Sequence, residues 1–318
     1  MKKEMFSICV VFILCHLGAV HTAFPATIRT FTITPSTITF PNQDPDQYPE
    51  ISSNANLTVT MEIRQLTKTQ NWVLEIYSDG DLISGIDTIP IGNVRWTVTG
   101  TAIPSGFFQN GIFSKGVYIL TGQGQGGGSC NGGGGTRACV TCSFQFYLTN
   151  SWSYAVGNYS KLITLRLTAG TGGGQVQQTR TFTLSPTVAS IAKLNFGLLT
   201  LTFPDQDPDS FPSVSADINP LSVTSSARTG SSSTATLTCL AAGDLVSGTN
   251  SIPISNMTWT SGGSGYLPGT MSRTMAQNAG SWRGPGIYTG TFSYFMANLW
   301  TFTIGNYSAT INYTLTAP

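Results

Sequence analysis

The stretch TITFPNQDPDQYP (Thr37 to Pro49) returns as TLTFPDQDPDSFP (Thr200 to Pro212), 163 residues further along the chain. At the same spacing GDLISGIDTIPIGNVRW (Gly80 to Trp96) returns as GDLVSGTNSIPISNMTW (Gly243 to Trp259). A third pair, NSWSYAVGNYS (Asn150 to Ser160) and NLWTFTIGNYS (Asn298 to Ser308), is separated by 148 residues. Matches of this length in one register mark a duplication. The 15 residues lost before the third pair place an insertion in the first copy, in the Gly- and Cys-rich stretch 122–142.

Inside each copy the apolar residues alternate. Leu57, Val59, Met61 and Ile63 share one face, and Ile163, Leu165 and Leu167 correspond to Ile311, Tyr313 and Leu315. Period two with one apolar face indicates antiparallel strands packed on a core. Short runs bounded by Gly, Pro, Asn and Asp, with no helical period, predict an all-β chain of two tandem antiparallel, immunoglobulin-like β-sandwich domains. The first is expected over 24–169 and the second over 182–318, joined by GTGGGQVQQTRT (170–181) as a flexible linker. RTFTLSP (Arg180 to Pro186) echoes RTFTITP (Arg29 to Pro35), so each domain is expected to begin with the same strand. Trp96 matches Trp259 and Trp152 matches Trp300, which points to core packing for both pairs.

The chain opens on Lys2 and Lys3 followed by an apolar run from Met5 to Val20. That is the layout of a secretory signal peptide over 1–23, with Thr22, Ala23 and Ala26 as candidates for the last residue removed. The mature protein is therefore expected to be secreted, extracellular or at the cell surface. No later segment is apolar for long enough to span a bilayer. Without the leader, 13 basic residues face 13 acidic ones. A chain with no net charge has no electrostatic footprint for nucleic acid or anionic lipid.

The chemistry of catalysis is sparse. Both histidines, His16 and His21, belong to or adjoin the leader, and the only mature glutamates are Glu50, Glu62 and Glu75. A Ser-His-Asp or Cys-His arrangement cannot form, and the chain reads as a non-enzyme without a cofactor. The duplicated FPxQDPD element carries Asp44 and Asp46 in one copy and Asp205, Asp207 and Asp209 in the other. Together with Asp81 and Asp244 of the GDL elements they could supply oxygen ligands to calcium; the competing reading is that they build turns through side-chain-to-backbone bonds. Cys130, Cys139 and Cys142 sit in the insertion, and in an exported protein two of them are expected to form a disulfide, Cys130 with Cys139 or with Cys142. Trp72 and Trp282 have no counterparts across the copies, which makes them candidates for stacking against glycans.

The closing stretches GNYSKLITLRLTA and GNYSATINYTLTAP resemble the last strand of exported bacterial β-sandwich families: WxL cell-surface domains, spore-coat-U proteins and fimbrial subunits. RTFTLSP followed by KLNFG (Lys193 to Gly197) is similar to the entry of secreted bacterial Ig-like modules. The resemblance implies bacterial export and a surface or appendage role. Two functions are compatible with the sequence as a whole. One is a structural subunit of a fibre or coat, self-associating or joining other surface proteins by strand addition, with Arg29 to Pro35 as the strand donated unless it pairs inside its own domain. The other is an adhesin-like module for glycans or another surface.

Overall fold

The computed structural model describes residues 25–130 and 134–318; the leader lies outside them. The chain first forms β1 (Thr27–Thr34), β2 (Thr37–Phe40), β3 (Glu50–Ser52), β4 (Leu57–Arg64) and β5 (Asn71–Tyr77). There follow β6 (Leu82–Ser84), β7 (Asp87–Ile89), β8 (Val94–Ile103), β9 (Gly106–Phe108) and β10 (Gly111–Ile112). The first unit ends with β11 (Ile119–Gln125), β12 (Arg137–Thr149), β13 (Gly157–Asn158), β14 (Lys161–Ala169) and β15 (Val176–Val188). The second begins with β16 (Ile191–Phe196), β17 (Ser213–Ser215), β18 (Leu221–Arg228), β19 (Thr234–Ala241), β20 (Leu245–Ser247) and β21 (Asn250–Ile252). It continues through β22 (Met257–Gly262), β23 (Gly269–Thr270), β24 (Gln277–Arg283), β25 (Gly286–Ala297) and β26 (Ile311–Thr316).

The all-β, two-sandwich expectation holds. In the first unit the sheet β1-β4-β12-β8-β10, with β3 on β12, faces the sheet β13-β15-β14-β5-β11-β9, with β2 on β15. Alternation decides which side chains meet between them. Leu57, Val59, Met61 and Ile63 of β4 are buried opposite Ile163, Leu165 and Leu167 of β14. The second unit repeats the first sheet as β16-β18-β25-β22-β23 with β17 on β25, but its other sheet has only β24-β19-β26.

The domain boundary differs from the one expected. The residues read as linker and as the start of the second domain form β15, which turns back at Gly170 (φ +96°) and pairs along β14 from Ala169↔Val176 to Lys161↔Leu184. A left-handed residue at the turn suits glycine, which has no Cβ to clash. On its other side β15 runs parallel to β2, Thr183↔Thr37 to Pro186↔Phe40. It is the closing strand of the first sandwich. The copy of β1 is β16: Phe31 pairs opposite Met61, and Leu194, 163 positions later, pairs opposite Ser225. Arg29 to Thr34 is likewise held inside its own sheet, along β4, so it is not a free donor strand.

The insertion is a longer connection between β11 and β12, where the second unit turns within Gly284 and Pro285. Cys130 and Cys139 form a disulfide across it. Strand period explains the choice. Cys142 lies on the inward side of β12 with Ala138 and Val140, and Cys139 faces the other way. Burial pushes the Cys142 thiol up to about 12 and that of Cys239, also in the core, up to about 11.

Trp96 and Trp259 occupy equivalent places in the two cores, and each lies on a glycine. A Cβ on Gly111 would stand 2.5 Å from the Trp96 ring, and one on Gly269 would stand 2.5 Å from the Trp259 ring. Each indole N–H donates to a backbone carbonyl, of Gln109 at 3.2 Å and of Leu267 at 2.8 Å. Gly111→Ala and Gly269→Ala are each expected to cost about 1–3 kcal/mol through overpacking. Gly243→Ala, with nothing within 4 Å of its added methyl, serves as the neutral control in thermal denaturation.

Candidate functional site

Two features distinguish the second sandwich from the first: an unpaired sheet edge and a joint that fixes its position. In the first sandwich β15 covers β14 so fully that Ile163, Leu165 and Leu167 are each 0% exposed. Phe182 and Leu184 of β15, together with Pro186 and Val188, fill the space between β14 and β2. In the second sandwich β26 pairs with β19 on one side, Thr236↔Thr316 to Ala241↔Ile311. Among the described residues no strand lies on its other side. Ile311, Tyr313 and Leu315 are accordingly only half-buried, although they pack on the core. Thr200 to Phe203, the copy of β2, forms no strand, and Leu201 and Phe203 stay partly exposed where Ile38 and Phe40 are buried. The slot that β15 fills in one unit is open in the other.

An open edge presents unpaired N–H and C=O groups, and ordinary domains guard such edges with Lys, Pro or bulges. The sequence of β26, INYTLT, carries none of these. The edge combines unsatisfied backbone groups with alternating apolar side chains. That combination can accept an extended segment with apolar residues at every second position.

The joint between the units is built by the FPxQDPD loop of the first. Asp44 Oδ1 accepts the N–H of Asp46 at 2.9 Å and shapes the turn. Asp46 then accepts the Trp152 indole N–H at 2.8 Å and Lys193 Nζ of β16 at 2.5 Å. Asn150 Nδ2 donates to the carbonyls of Tyr48 and Gln43, which turns its Oδ1 toward Arg228 of β18. Arg228 is 1% exposed and also donates to the carbonyls of Ser151 and Gln43. Burial lowers its pKa, partly offset by the charge of Asp44, and it stays a cation because a guanidinium does not deprotonate in proteins. Trp152 therefore packs at a domain joint rather than in a sandwich core, and its copy Trp300 is 71% exposed.

The calcium expectation is not supported by the geometry. Among the described residues no three His, Cys, Asp or Glu side chains gather where a metal could sit. Asp81 accepts the N–H of Ile91 and meets Lys115; Asp244 accepts the N–H of Ile254 and meets Arg273. Asp207 accepts the N–H of Asp209, whose own carboxylate accepts from Trp300. Asp205 makes no such turn bond but stands where Asn42 Oδ1 accepts the N–H of Ala189. These are turn and joint carboxylates.

Glycan stacking at Trp72 and Trp282 is excluded by burial, 0% and 5% exposed. They lack counterparts because the same core volume is filled from opposite strands. Trp72 of β5 pairs with Gly124 of β11, whereas Ala235 of β19, the copy of Trp72, pairs with Trp282 of β24.

No family model matches the sequence and no curated protein matches it. Solved structures similar to it include the CsuE tip adhesion subunit with its CsuC chaperone from the archaic chaperone-usher Csu pili of Acinetobacter baumannii. The identity is 10%, over 90% of this chain and 99% of that one, with a TM-score of 0.33. The CupB6 tip adhesin of Pseudomonas aeruginosa is 8% identical over 93% and 91%, TM-score 0.33. The CooA pilin subunit of enterotoxigenic Escherichia coli is 12% identical over 49% of this chain and 91% of its own, TM-score 0.28. These neighbours are bacterial pilus subunits and tip adhesins. At such scores no function passes from them to this chain. No helix among the described residues is long and apolar enough to cross a membrane.

Two outcomes test the joint. Arg228→Met leaves Asn150 Oδ1 without its donor and the Ser151 and Gln43 carbonyls with one donor fewer, and is expected to destabilise the joint by about 2 kcal/mol or more. Urea unfolding followed at Trp152 should then separate into two transitions. The Lys193 hydrogen bond, then that of Trp152, holds the Asp46 carboxyl below its ordinary range. A depressed folded-state value gives stabilisation that is full above about pH 4 and is lost as pH falls through it. Trp152 fluorescence should report loosening in that acid window, and Asp46→Asn should remove the pH dependence.

Proposed function

We propose that this protein is a subunit of a bacterial surface fibre whose second sandwich is completed by a β-strand from a neighbouring molecule. The observation that carries this is the open slot beside β26, set against the same slot filled by β15 in the first sandwich. Export is supported by the leader, and a bacterial surface by the closing strands. The first sandwich supplies the pattern a donor must satisfy: an extended segment parallel to Thr200–Phe203 and antiparallel to β26, apolar at alternate positions as in Phe182, Leu184, Pro186 and Val188. Full burial of a Val, Leu or Phe side chain contributes about 1.5–3 kcal/mol, so a few anchors suffice for firm attachment. Backbone pairing adds register. Arg29 to Pro35 is not that donor, because it is bound along β4.

The test uses the full chain and a synthetic peptide with the sequence of Val176 to Val188. The peptide should form a one-to-one complex by native mass spectrometry, slow amide exchange in β26 and Thr200 to Phe203, and raise the melting temperature. A ligand present at 100 times its Kd stabilises the native state by about 2.7 kcal/mol. A peptide with Phe182→Asp and Leu184→Asp should do none of this. Exchange protection of the β26 edge in the chain alone, or equal behaviour of the two peptides, would overturn the reading.

A further inference from the structure

The pole of the second sandwich reproduces, residue by residue, the surface on which the first sandwich holds the second. Asn298 stands where Asn150 does, and its Nδ2 donates to the carbonyls of Gln206 at 2.8 Å and Phe211 at 3.1 Å, the copies of Gln43 and Tyr48. Asp207 Oδ1 accepts the N–H of Asp209 at 3.0 Å, as Asp44 does for Asp46. The Trp300 indole donates to Asp209 Oδ1 at 3.0 Å, as Trp152 does to Asp46.

What differs is the occupant. Lys193 and Arg228 fill the first surface. At the second, Asp209 meets no cation and Asn298 Oδ1 no donor among the described residues. The apolar side chains there are bare: Trp300 is 71% exposed against 5% for Trp152, and Ile304, the copy of Val156, is 98% exposed. An exposed apolar patch framed by oriented polar groups is the mark of an interaction site.

We propose that this pole is a socket for a further β-sandwich module presenting one arginine and one lysine, placed as Arg228 and Lys193 are on the second sandwich. The occupant's chemistry is read from the filled copy: a guanidinium for Asn298 Oδ1 and the carbonyls of Gln206 and Leu299, an ammonium for Asp209, and a surface to cover Trp300. The route of delivery rests on the strand reading above. In the first sandwich β15 leaves its slot at Ala189, whose N–H donates to Asn42 Oδ1, and passes straight into the docked module. A strand laid beside β26 in the same register emerges at Asp205, the copy of Asn42, and brings its module onto the pole. The joint inside the chain is thus the template for the joint to the next molecule, and repeating it builds a head-to-tail series.

The probe is the full chain extended, after Pro318 and a short flexible linker, by a second copy of Val176 to Pro318 in which Trp300→Phe is made. Hydroxyl-radical footprinting then reads the remaining Trp300, and amide exchange reads the inner β26. In the unextended chain Trp300 should react several-fold faster than Trp152. In the extended chain its reactivity should fall to that of Trp152, and Asp209→Lys in the inner copy should restore it while β26 stays protected. Protection of β26 with Trp300 still fully reactive would end the socket proposal and leave strand addition standing. Shielding of Trp300 without protection of β26 would do the reverse, and neither change would remove both. A second measurement does not depend on the added copy. In the unextended chain Asp46→Lys should expose Trp152 to radicals while both sandwiches keep their exchange protection. If Trp152 stays shielded, the Asp–Lys contact does not hold a joint, and its copy at Asp209 does not either.

Discussion

A β-strand satisfies only half of its backbone groups through any one neighbour, so the outermost strand of a sheet must be paired, covered or guarded. Among the described residues that constraint is met by β15 on one sandwich, and on the other the outer side of β26 has no paired strand. β15 bonds along nine positions of β14, touches four of β2 and buries its alternate apolar side chains between them. Its Arg180 also reaches across the sandwich to the carbonyl of Phe31 in β1 at 2.7 Å. The 0% exposure of the β14 side chains follows from this one strand. Among the described residues no strand covers β26 in this way, its Ile311, Tyr313 and Leu315 sit half in solvent, and the second layer of the second sandwich has three strands where the first unit has seven.

Charge has a local task in such a chain. Residues 24–318 carry 13 basic and 13 acidic side chains, and several of these ionic groups fix local geometry. Glu62 shows this inside a sheet: Arg29, Arg64 and Arg137, from β1, β4 and β12, converge on its carboxylate and tie three neighbouring strands in register. Asp46 shows it between units, since one carboxylate links Trp152 of the first sandwich to Lys193 of the second. Several of the basic partners lie partly in water, and such pairs contribute little energy. Their value lies in orientation, and the buried Arg228 beside them supplies the bonds that are costly to leave unmade.

Much of this was legible in the sequence. The duplication, the strand period, the insertion and the core placement of Trp96 and Trp259 all follow from spacing alone. The partner of a strand does not. RTFTITP and RTFTLSP are nearly the same heptad, yet one pairs with β4 and the other with β14 and β2. Alternation encodes a face and not a neighbour. A signal was available, because the 163-residue spacing carries Thr27–Thr34 onto 190–197, which marks β16, and not β15, as the copy of β1. Trp72 and Trp282 misled for a related reason. Their shared core volume is a property of two paired strands, so the large residue can change strands while the packing is kept, and a position-by-position comparison sees two unmatched tryptophans. The aspartates left two readings open because a carboxylate bonded to a backbone N–H in a turn and one bonded to a metal present the same sequence.

The joint and the strand belong to one device. β15 ends at Val188 and the second sandwich begins at Ile191, so two residues separate the segment that closes one unit from the unit that docks on it. A tether this short raises the local concentration of the docked partner, and contacts too weak to hold alone become effective. This explains how a joint with few ionic groups can be fixed: the strand supplies the affinity, and Arg228 and Lys193 set the angle. The same reasoning applies at the open end. Trp300, Asp209 and Asn298 would make a weak site for a module arriving freely from solution, and a firm one for a module already anchored beside β26. In the assembly proposed above the slot would therefore fill first and the pole second, because a strand beside β26 would bury apolar side chains and pair backbone before any tether exists.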